Sequence, residues 1–270
     1  MERIKPMTVS VMLDLETWGT EPGCDIRSIG AVVFNPVTGT IAGDIPHDRS
    51  EFFKNGMLHS GPSAPDNPYW FYVACDNPTV ARNRYDGDPN TKPKYPLHRD
   101  PRTVQWWSEQ SEAAQAAFAD PVDLRVALER FSEWIAQLVG FNNWDEEFKP
   151  FDIRLWSHGA ATDGPWLAVA YKAVGLPVPW HYRAPRDTRT AFDMAGITDH
   201  TAWLKEHPGP MGVAHHALDD AICQARAVCG AYEKNRNETV DADGRRWRAL
   251  NAPDTFASEY TQQWSARGSI

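Results

Sequence analysis

The chain has 270 residues, of which 42% are hydrophobic, 11% aromatic and 23% charged, and its formal net charge is −9. This composition excludes an intrinsically disordered protein, and the acidic balance excludes one that holds nucleic acid mainly through a basic surface. A polyanionic substrate would therefore require bound cations, or a basic patch that the average hides.

The cysteines and the amino terminus indicate the compartment. The four cysteines lie far apart without a C-x-x-C pair, which argues against a zinc knuckle or a dense disulfide framework and favours a reducing environment. The amino terminus lacks a signal-peptide pattern, and no apolar run reaches the ~18 residues that a membrane helix needs. We therefore expect a soluble protein of the cytoplasm, or of the host cytoplasm if it is viral, with no membrane partner.

Two adjacent strands open the predicted fold. Apolar and β-branched residues dominate 8–15 and 26–34, and a cluster of glycine and proline marks a turn between them. Asn35, Pro36 and Gly39 mark a further turn before a third short strand, so the chain is expected to begin as a meander.

The texture changes between Ile45 and Thr103. Nine of the 21 prolines and a cluster of aromatic residues fall in this stretch, which is also more basic than the rest of the chain. Such a density predicts a long, turn-rich insertion that packs on its own side chains, with a binding platform as the alternative.

Helices and one buried strand follow. Good helix formers fill Thr103 to Phe118 without glycine or proline and predict one helix, and a second helix with an apolar stripe follows from Pro121. A buried strand at Ile153 to Trp156 precedes a helix that begins near Pro165 and ends at Gly175. This alternation of helix and strand is typical of an α/β fold.

Two further helices and a tail complete the chain. The pattern predicts a short helix over Asp187 to Ala195 and a strong helix over Ala217 to Tyr232. Residues 235–270 carry scattered apolar anchors and are expected to pack on the domain as a C-terminal appendix. We therefore predict one domain over residues 1–234, with an insertion at about 45–103.

The first candidate for chemistry is the pair Asp14 and Glu16 inside the apolar first strand. Side chains two apart on a strand share one face, roughly 6.5 to 7 Å apart along it. Burying two like charges together is costly unless something cationic lies beside them. The alternative is a strand end at which both acids lie in solvent.

The second candidate is Asp163. It follows the predicted strand and a stretch of small residues, immediately before the helix of Pro165. Small residues allow close approach by a substrate, but an aspartate in this place also suits the N-cap of a helix. The pattern leaves both interpretations open.

The third candidate is the cluster that opens the helix at Ala217. His215 and Asp220 are five residues apart and can converge only if His215 belongs to the preceding loop. The alternative assigns Asp219 and Asp220 to favourable charge at a helix N-terminus and leaves the histidines as turn residues.

The order of these three motifs resembles the DnaQ-like superfamily of 3′-to-5′ exonucleases, in its DEDDh branch. The run IRSIGAVVF is similar to the segment that follows the first motif there, and TVQWWSEQSEAAQAAF resembles an element of the subfamily of phage exonuclease A and Rv2179c-type exoribonucleases. The resemblance spans about Thr8 to Glu233, without the proline-rich insertion. It departs from the family at Thr162, where an aromatic residue usually precedes the aspartate. It implies an RNase H-like α/β fold, a mixed sheet flanked by helices.

The resemblance also implies a metal-dependent 3′-to-5′ exonuclease. Two Mg²⁺ or Mn²⁺ ions, with four positive charges, would be held by four carboxylates, those of Asp14, Glu16, Asp163 and Asp220. His215 would be the general base, since an imidazole titrates near neutrality. His216 and Asp219 are the neighbours most easily confused with the functional pair, and His216 stands where a tyrosine-type branch would need tyrosine.

Substrate contacts are predicted beside the first motif. Leu15, Thr17 and Trp18 are candidates for a wedge that splays the terminal bases, although Trp18 could equally be a core residue. The predicted partner is a nucleic acid with a free 3′ end, single-stranded DNA in preference to RNA, because the chain looks closer to phage exonuclease A than to small oligoribonucleases. The expected products are nucleoside 5′-monophosphates.

Three alternatives remain open. An exoribonuclease would use the same chemistry, and only tolerance of a 2′-OH would distinguish it. A catalytically inactive module could bind nucleic acid through the aromatic insertion. A phosphohydrolase could bind metal through His215, His216, Asp219 and Asp220, but it would leave Asp14 and Glu16 unexplained.

Overall fold

The structure is a computed structural model, and it describes residues 8–42, 67–80, 92–138 and 153–238. In chain order the strands are β1 (Val9–Thr17), β2 (Ile26–Asn35), β3 (Thr40–Ile41), β4 (Trp70–Asp76), β5 (Thr79–Val80), β6 (Lys92–Pro93), β7 (Val122–Asp123), β8 (Ile153–Ser157) and β9 (Pro185–Asp187). The helices are α1 (Pro101–Ser108), α2 (Glu112–Ala116), α3 (Leu124–Leu138), α4 (Asp163–Val174), α5 (Thr188–Met194), α6 (His200–Lys205) and α7 (Ala217–Glu238).

Seven strands form one mixed sheet in the order β7-β4-β2-β1-β8-β9, with β3 added to β2. The pairs β1–β2 and β2–β4 are antiparallel, whereas β8 continues the sheet parallel to β1 and β9 parallel to β8. Helices α3 and α4 pack on one face, and α5 and α7 pack on the other. The predicted RNase H-like fold class, a mixed sheet flanked by helices, is confirmed.

Strand β1 divides its side chains between the two faces, because successive residues of a strand point in opposite directions. Leu13 and Leu15 lie in the core beneath α3 and α4, whereas Met12 lies in the core beneath α7. Asp14 and Glu16 continue the face of Met12. The alternation therefore directs both acids of the first motif towards α7.

Gly30 allows α7 to lie directly on the sheet. It is the partner of Asp14 in the β1–β2 ladder, and a Cβ atom at this position would overlap the backbone of Ala217 and Leu218. A side chain here would push the first turn of α7 away from β1. The glycine of the IRSIGAVVF run therefore sets the distance between Asp14 and the helix that carries Asp220.

The helix predicted over Thr103 to Phe118 is wrong, since two shorter helices occupy this region. Asp100 caps α1 by accepting a hydrogen bond from the backbone N–H of Arg102, 2.8 Å away. Ser111 caps α2 in the same way, with the N–H of Ala114 at 3.2 Å. Helix propensity alone overlooks these caps, because serine and aspartate favour helix starts over helix interiors.

The segment interpreted as a proline-rich insertion contributes a strand to the central sheet. Strand β4 pairs with β2 from Ala74, opposite Ser28, to Trp70, opposite Val32. Flanking prolines and turn residues hide this strand in the sequence. The rest of the segment lies in part outside the described residues, at 43–66 and 81–91, and the predicted domain boundaries stay a prediction.

Helix α7 continues beyond its predicted end, and α6 was not expected from the sequence. The predicted appendix begins inside α7, and its residues from 239 onwards lie outside the described part of the chain. Within the described ranges, no helix is both long and apolar enough to cross a membrane.

Candidate active site

Asp14 is a residue of β1, and its side chain lies against α7, among the other carboxylates. Gln224, one turn after Asp220 on α7, donates its Nε2–H to Asp14 Oδ1 at 2.7 Å. Burial raises the pKa of Asp14 well above its ordinary value, and the charges of Asp163, Glu16 and Asp220 raise it further. Asp14 therefore interacts electrostatically with the other three predicted metal-binding acids, Glu16, Asp163 and Asp220.

Glu16 lies on the same face of β1 and is buried. Burial raises its pKa to about 8, the charges of Asp220 and Asp163 add to the shift, and the Arg27 guanidinium opposes it. The arrangement is not a strand end with both acids in solvent. Two carboxyls that are desolvated beside each other resist ionisation unless a cation joins them.

Asp163 is the first residue of α4, and its Oδ2 accepts a hydrogen bond from the hydroxyl of Thr162 at 3.4 Å. Thr162 occupies the N-cap position, so Asp163 is not the cap that the alternative interpretation suggested. Burial raises the pKa of Asp163 to about 7, against hydrogen bonds that include one from the backbone N–H of Leu15. These hydrogen bonds oppose the effect of burial on the pKa of Asp163 but do not reverse it.

His215 belongs to the loop before α7, as its convergence with Asp220 requires. Its φ of 62° lies in the left-handed region, and its backbone N–H donates to Asp220 Oδ2 at 3.1 Å. Burial lowers the pKa of the His215 imidazole, so the neutral base is favoured at neutral pH. Burial and the charge of Asp219 raise the pKa of Asp220 to about 6.

The site combines ligand atoms that suit a cation. One ligand atom each from Glu16, His215 and Asp220 lie within 4.8 Å of one another. The carboxylates of Asp14 and Asp163 interact electrostatically with the acids of this cluster. The structure thus brings together the four carboxylates and the histidine predicted from sequence.

The inner pair of the helix-opening cluster has different contacts. His216 is buried and stacks on Tyr72, with 4.3 Å between ring centroids. The Asp219 carboxylate accepts the backbone N–H groups of Met211 and Val213 at 2.8 and 2.9 Å. His216 thus packs in the core, and Asp219 holds the loop before α7. These roles remove the basis for a phosphohydrolase site built from His215, His216, Asp219 and Asp220.

Asp219→Ala is expected to lower the free energy of unfolding by about 1–3 kcal/mol, because it leaves the N–H groups of the loop without their acceptor. Asp220→Asn is the matched control, since its amide oxygen can still accept the His215 N–H, and its stability should not fall below that of wild type. Urea denaturation of both variants measures the difference. Equal losses in the two would contradict the assignment of Asp219 to the loop.

The three residues predicted to contact substrate lie in different surroundings. Leu15 is buried in the core on the face of β1 opposite the carboxylates. Thr17 donates its hydroxyl to the carbonyl of Gly19 at 2.6 Å. Trp18 is half-buried, with the guanidinium carbons of Arg27 and Arg99 at 4.5 and 4.9 Å from its ring centroid. The structure therefore brings Thr17 and Trp18 to the end of β1 but turns Leu15 away from the acids.

Arg27 is a site residue that the sequence did not reveal. It lies at the bulge where the β1–β2 register shifts beyond Glu16, and its side chain is 6% exposed. The guanidinium packs on the rings of Trp107 and Phe118 and donates to Gln115 at 2.9 Å. No local pattern marks it, whereas the four-residue spacing of Gln224 from Asp220 on one helix face could have identified Gln224.

The metal-free protein is expected to lose stability as the pH rises from about 6.5 to 8.5. Raised carboxyl pKa values mean that the folded state binds more protons than the unfolded state, so stability is present at low pH and is lost as the pH rises through the folded pKa. The loss begins above the ordinary carboxyl pKa and ends near the pKa values of Asp163 and Glu16, about 7 and about 8, so its last part falls in the stated window.

Thermal denaturation in EDTA should show a fall of a few degrees in Tm across this range, on the order expected for a change of about 1 kcal/mol. Glu16→Gln should flatten the slope because it removes one titrating group. Mg²⁺ or Mn²⁺ should restore stability at the alkaline end. A wild-type Tm that rises over the window would contradict the arrangement of charges.

Comparison with known proteins gives one family match. The sequence model described as the 3′-5′ exoribonuclease Rv2179c-like domain matches residues 9–231. No curated protein sequence matches the chain.

Solved structures similar to the chain share few of its residues. The cell-death related nuclease 4 (CRN-4) is 14% identical with a TM-score of 0.48, over 84% of this chain and 64% of that one. The nuclease domain of 3′hExo, a DEDDh family member bound to rAMP, is 13% identical with a TM-score of 0.47, over 84% and 92%. A 3′-exonuclease that recognises the histone mRNA stem-loop is 12% identical with a TM-score of 0.47, over 85% and 83%. The chain thus spans less than two thirds of CRN-4.

The family match includes all five residues that converge at the site, Asp14, Glu16, Asp163, His215 and Asp220. It confirms the resemblance that the motifs indicated. The chain therefore belongs to the Rv2179c-like 3′-5′ exoribonuclease domain family.

Proposed function

We propose that the chain is a divalent-metal-dependent 3′-to-5′ exonuclease that releases nucleoside 5′-monophosphates from the 3′ end of single-stranded DNA. The observation that carries the proposal is the convergence of Asp14, Glu16, Asp163 and Asp220 beside His215, from β1 and the first turns of α4 and α7. Family membership supports the class of reaction.

The donor set fits two Mg²⁺ or Mn²⁺ ions. Hard cations take oxygen ligands, and Asp14, Glu16, Asp163 and Asp220 would supply them. Arg27 and Arg189 lower the pKa values of Glu16 and Asp163, yet both values remain raised, so these cations do not offset the repulsion. When bound, two divalent ions would balance the four carboxylates, stabilise charge on the phosphate and leaving oxygens, and lower the pKa of the attacking water.

The residues of the chain have distinct tasks in this reaction. His215 would take the proton of the attacking water through an imidazole nitrogen, since its lowered pKa keeps it neutral. Gln224 holds one oxygen of Asp14, and the hydroxyl of Thr162 donates to one oxygen of Asp163. These hydrogen bonds fix the acids before substrate arrives, which reduces the reorganisation that the reaction requires.

RNA is the second candidate substrate, and the description of the matched family as exoribonucleases favours it. The preference for DNA depends on the resemblance of the chain, which is closer to phage exonuclease A than to small oligoribonucleases. The two substrates differ in the 2′-OH, so the pocket that receives the terminal sugar decides between them.

The test uses single-stranded DNA and RNA oligonucleotides of one sequence, labelled at either end, with Mg²⁺ or Mn²⁺. The 3′-labelled strand should release labelled mononucleotide at once, and the 5′-labelled strand should shorten stepwise. A 3′-phosphate should slow both. Internal cleavage, or equal cleavage of blocked strands, would contradict the proposal. Binding without release by wild-type protein would favour the inactive binding module.

A further inference from the structure

The orientation of the His215 imidazole depends on aromatic packing. Within the described residues, the backbone N–H of His215 has a hydrogen-bond partner, but neither ring nitrogen has one. The ring instead lies edge-on to two indoles, with centroids 4.9 Å from Trp106 and 5.9 Å from Trp107, both at 84°. A general base must point at the proton that it takes, so whatever orients the ring contributes to the rate.

Trp107 anchors this packing to the metal-binding strand. Its side chain is 2% exposed, and its indole Nε1–H donates to the carbonyl of Thr17 at 2.9 Å, directly after Glu16. Trp106 packs edge-on against Trp107, with 4.9 Å between centroids. The end of β1, the two indoles and His215 therefore form one contiguous set of contacts.

Trp106 differs from Trp107 because it is 41% exposed and contributes little to the core. The ring contacts that the structure gives for its indole are with Trp107 and with His215. His215 is a loop residue with a positive φ, and it lies outside any helix or strand. A loop base without a hydrogen-bonded partner needs restraint from neighbouring side chains, and Trp106 supplies a flat, rigid surface at the shortest ring distance.

We propose that Trp106 is a positioning residue for the general base, which holds the His215 imidazole towards the oxygens of Glu16 and Asp220. The proposal rests on the proposed function, in which His215 takes the proton of the attacking water. Trp106 acts through His215 and not through the substrate. This distinguishes it from an exposed aromatic residue on which a nucleic-acid base stacks.

Trp106→Ala should lower kcat by about 10- to 100-fold, the order expected when a reacting group is displaced by ~1 Å. KM should change by less than about twofold, because the acids and the substrate contacts remain in place. Val104→Ala is the matched control, since Val104 lies on the same helix and is 40% exposed. Trp106→Phe should recover most of the lost kcat, because phenylalanine retains an edge-to-face contact.

Introducing Trp106→Ala into a His215→Ala background tests whether Trp106 acts through the histidine. There, Trp106→Ala should cause no further loss of kcat, since coupled residues are non-additive. On addition of Mn²⁺, the Tm of Trp106→Ala should rise as much as that of wild type. An equal rise would show that the metal-binding acids are unchanged.

Three results would overturn the proposal. A raised KM with an undiminished effect in the His215→Ala background would assign Trp106 to base stacking. A normal kcat for Trp106→Ala beside an impaired His215→Ala would remove the positioning role alone and leave the proposed function standing. Full activity of His215→Ala would remove the general-base role together with this proposal.

Discussion

Asp14→Asn is expected to abolish exonuclease activity and at the same time to stabilise the metal-free protein. Asp14 is the acid on which the charges of Glu16, Asp163 and Asp220 all act, so an amide removes the centre of the repulsion. The same amide is a poor ligand for a hard cation. We expect kcat to fall by a factor on the order of 10³ or more, because removing one member of a set of residues that act together removes most of the effect of the set.

Two measurements on Asp14→Asn check that the variant gains stability without metal and loses its response to metal. In EDTA at pH 8, its Tm should exceed that of wild type by a few degrees, about 1 kcal/mol in stability. On addition of Mn²⁺, the Tm of wild type should rise while that of the variant should not. Asp193→Asn is the control, because its carboxylate is 71% exposed and lies in a surface pair with His200. A variant that is both active and destabilised would refute the metal site.

His215→Ala is expected to lower kcat by about 10²- to 10⁴-fold, the usual contribution of a general base. The four carboxylates remain, so the Mn²⁺-dependent rise in Tm should persist. Loss of activity with retained metal binding separates this variant from Asp14→Asn. Imidazole added to the assay should restore part of the rate, because the cavity left by the side chain lies beside the reacting water.

His98→Ala is the control for this experiment, since His98 is exposed and is not a member of the site. Its kcat should equal that of wild type. A His215→Ala variant that loses its response to Mn²⁺ along with its activity would assign the histidine to metal binding. Unchanged activity would exclude it from the reaction.

The elements with strong local patterns were predictable from the sequence. Strands β1 and β2 and helix α7 follow runs of apolar residues with a clear period, and the acids of the first motif interrupt one of these runs. Interruption of a buried strand by two charges is a local signal of chemistry. It identified Asp14 and Glu16 before any neighbour was known.

Elements that depend on distant partners were not predictable in the same way. Strand β4 is stabilised by pairing with β2, some forty residues earlier, and its aromatic residues and the prolines that flank it locally resemble a loop. The break between α1 and α2 depends on the caps of Asp100 and Ser111, whose effect competes with the helix propensity of the residues around them.

The sequence by itself singled out Asp14, Glu16, Asp163 and Asp220 as the candidate acids, because the order of their motifs along the chain resembles that of a known family. Only the tertiary structure decided what lies beside these acids: the charge of Arg27 near Glu16, the amide of Gln224 on Asp14, and the indole of Trp106 against His215. The physical reason is that burial and charge depend on distances in space between residues far apart in the chain.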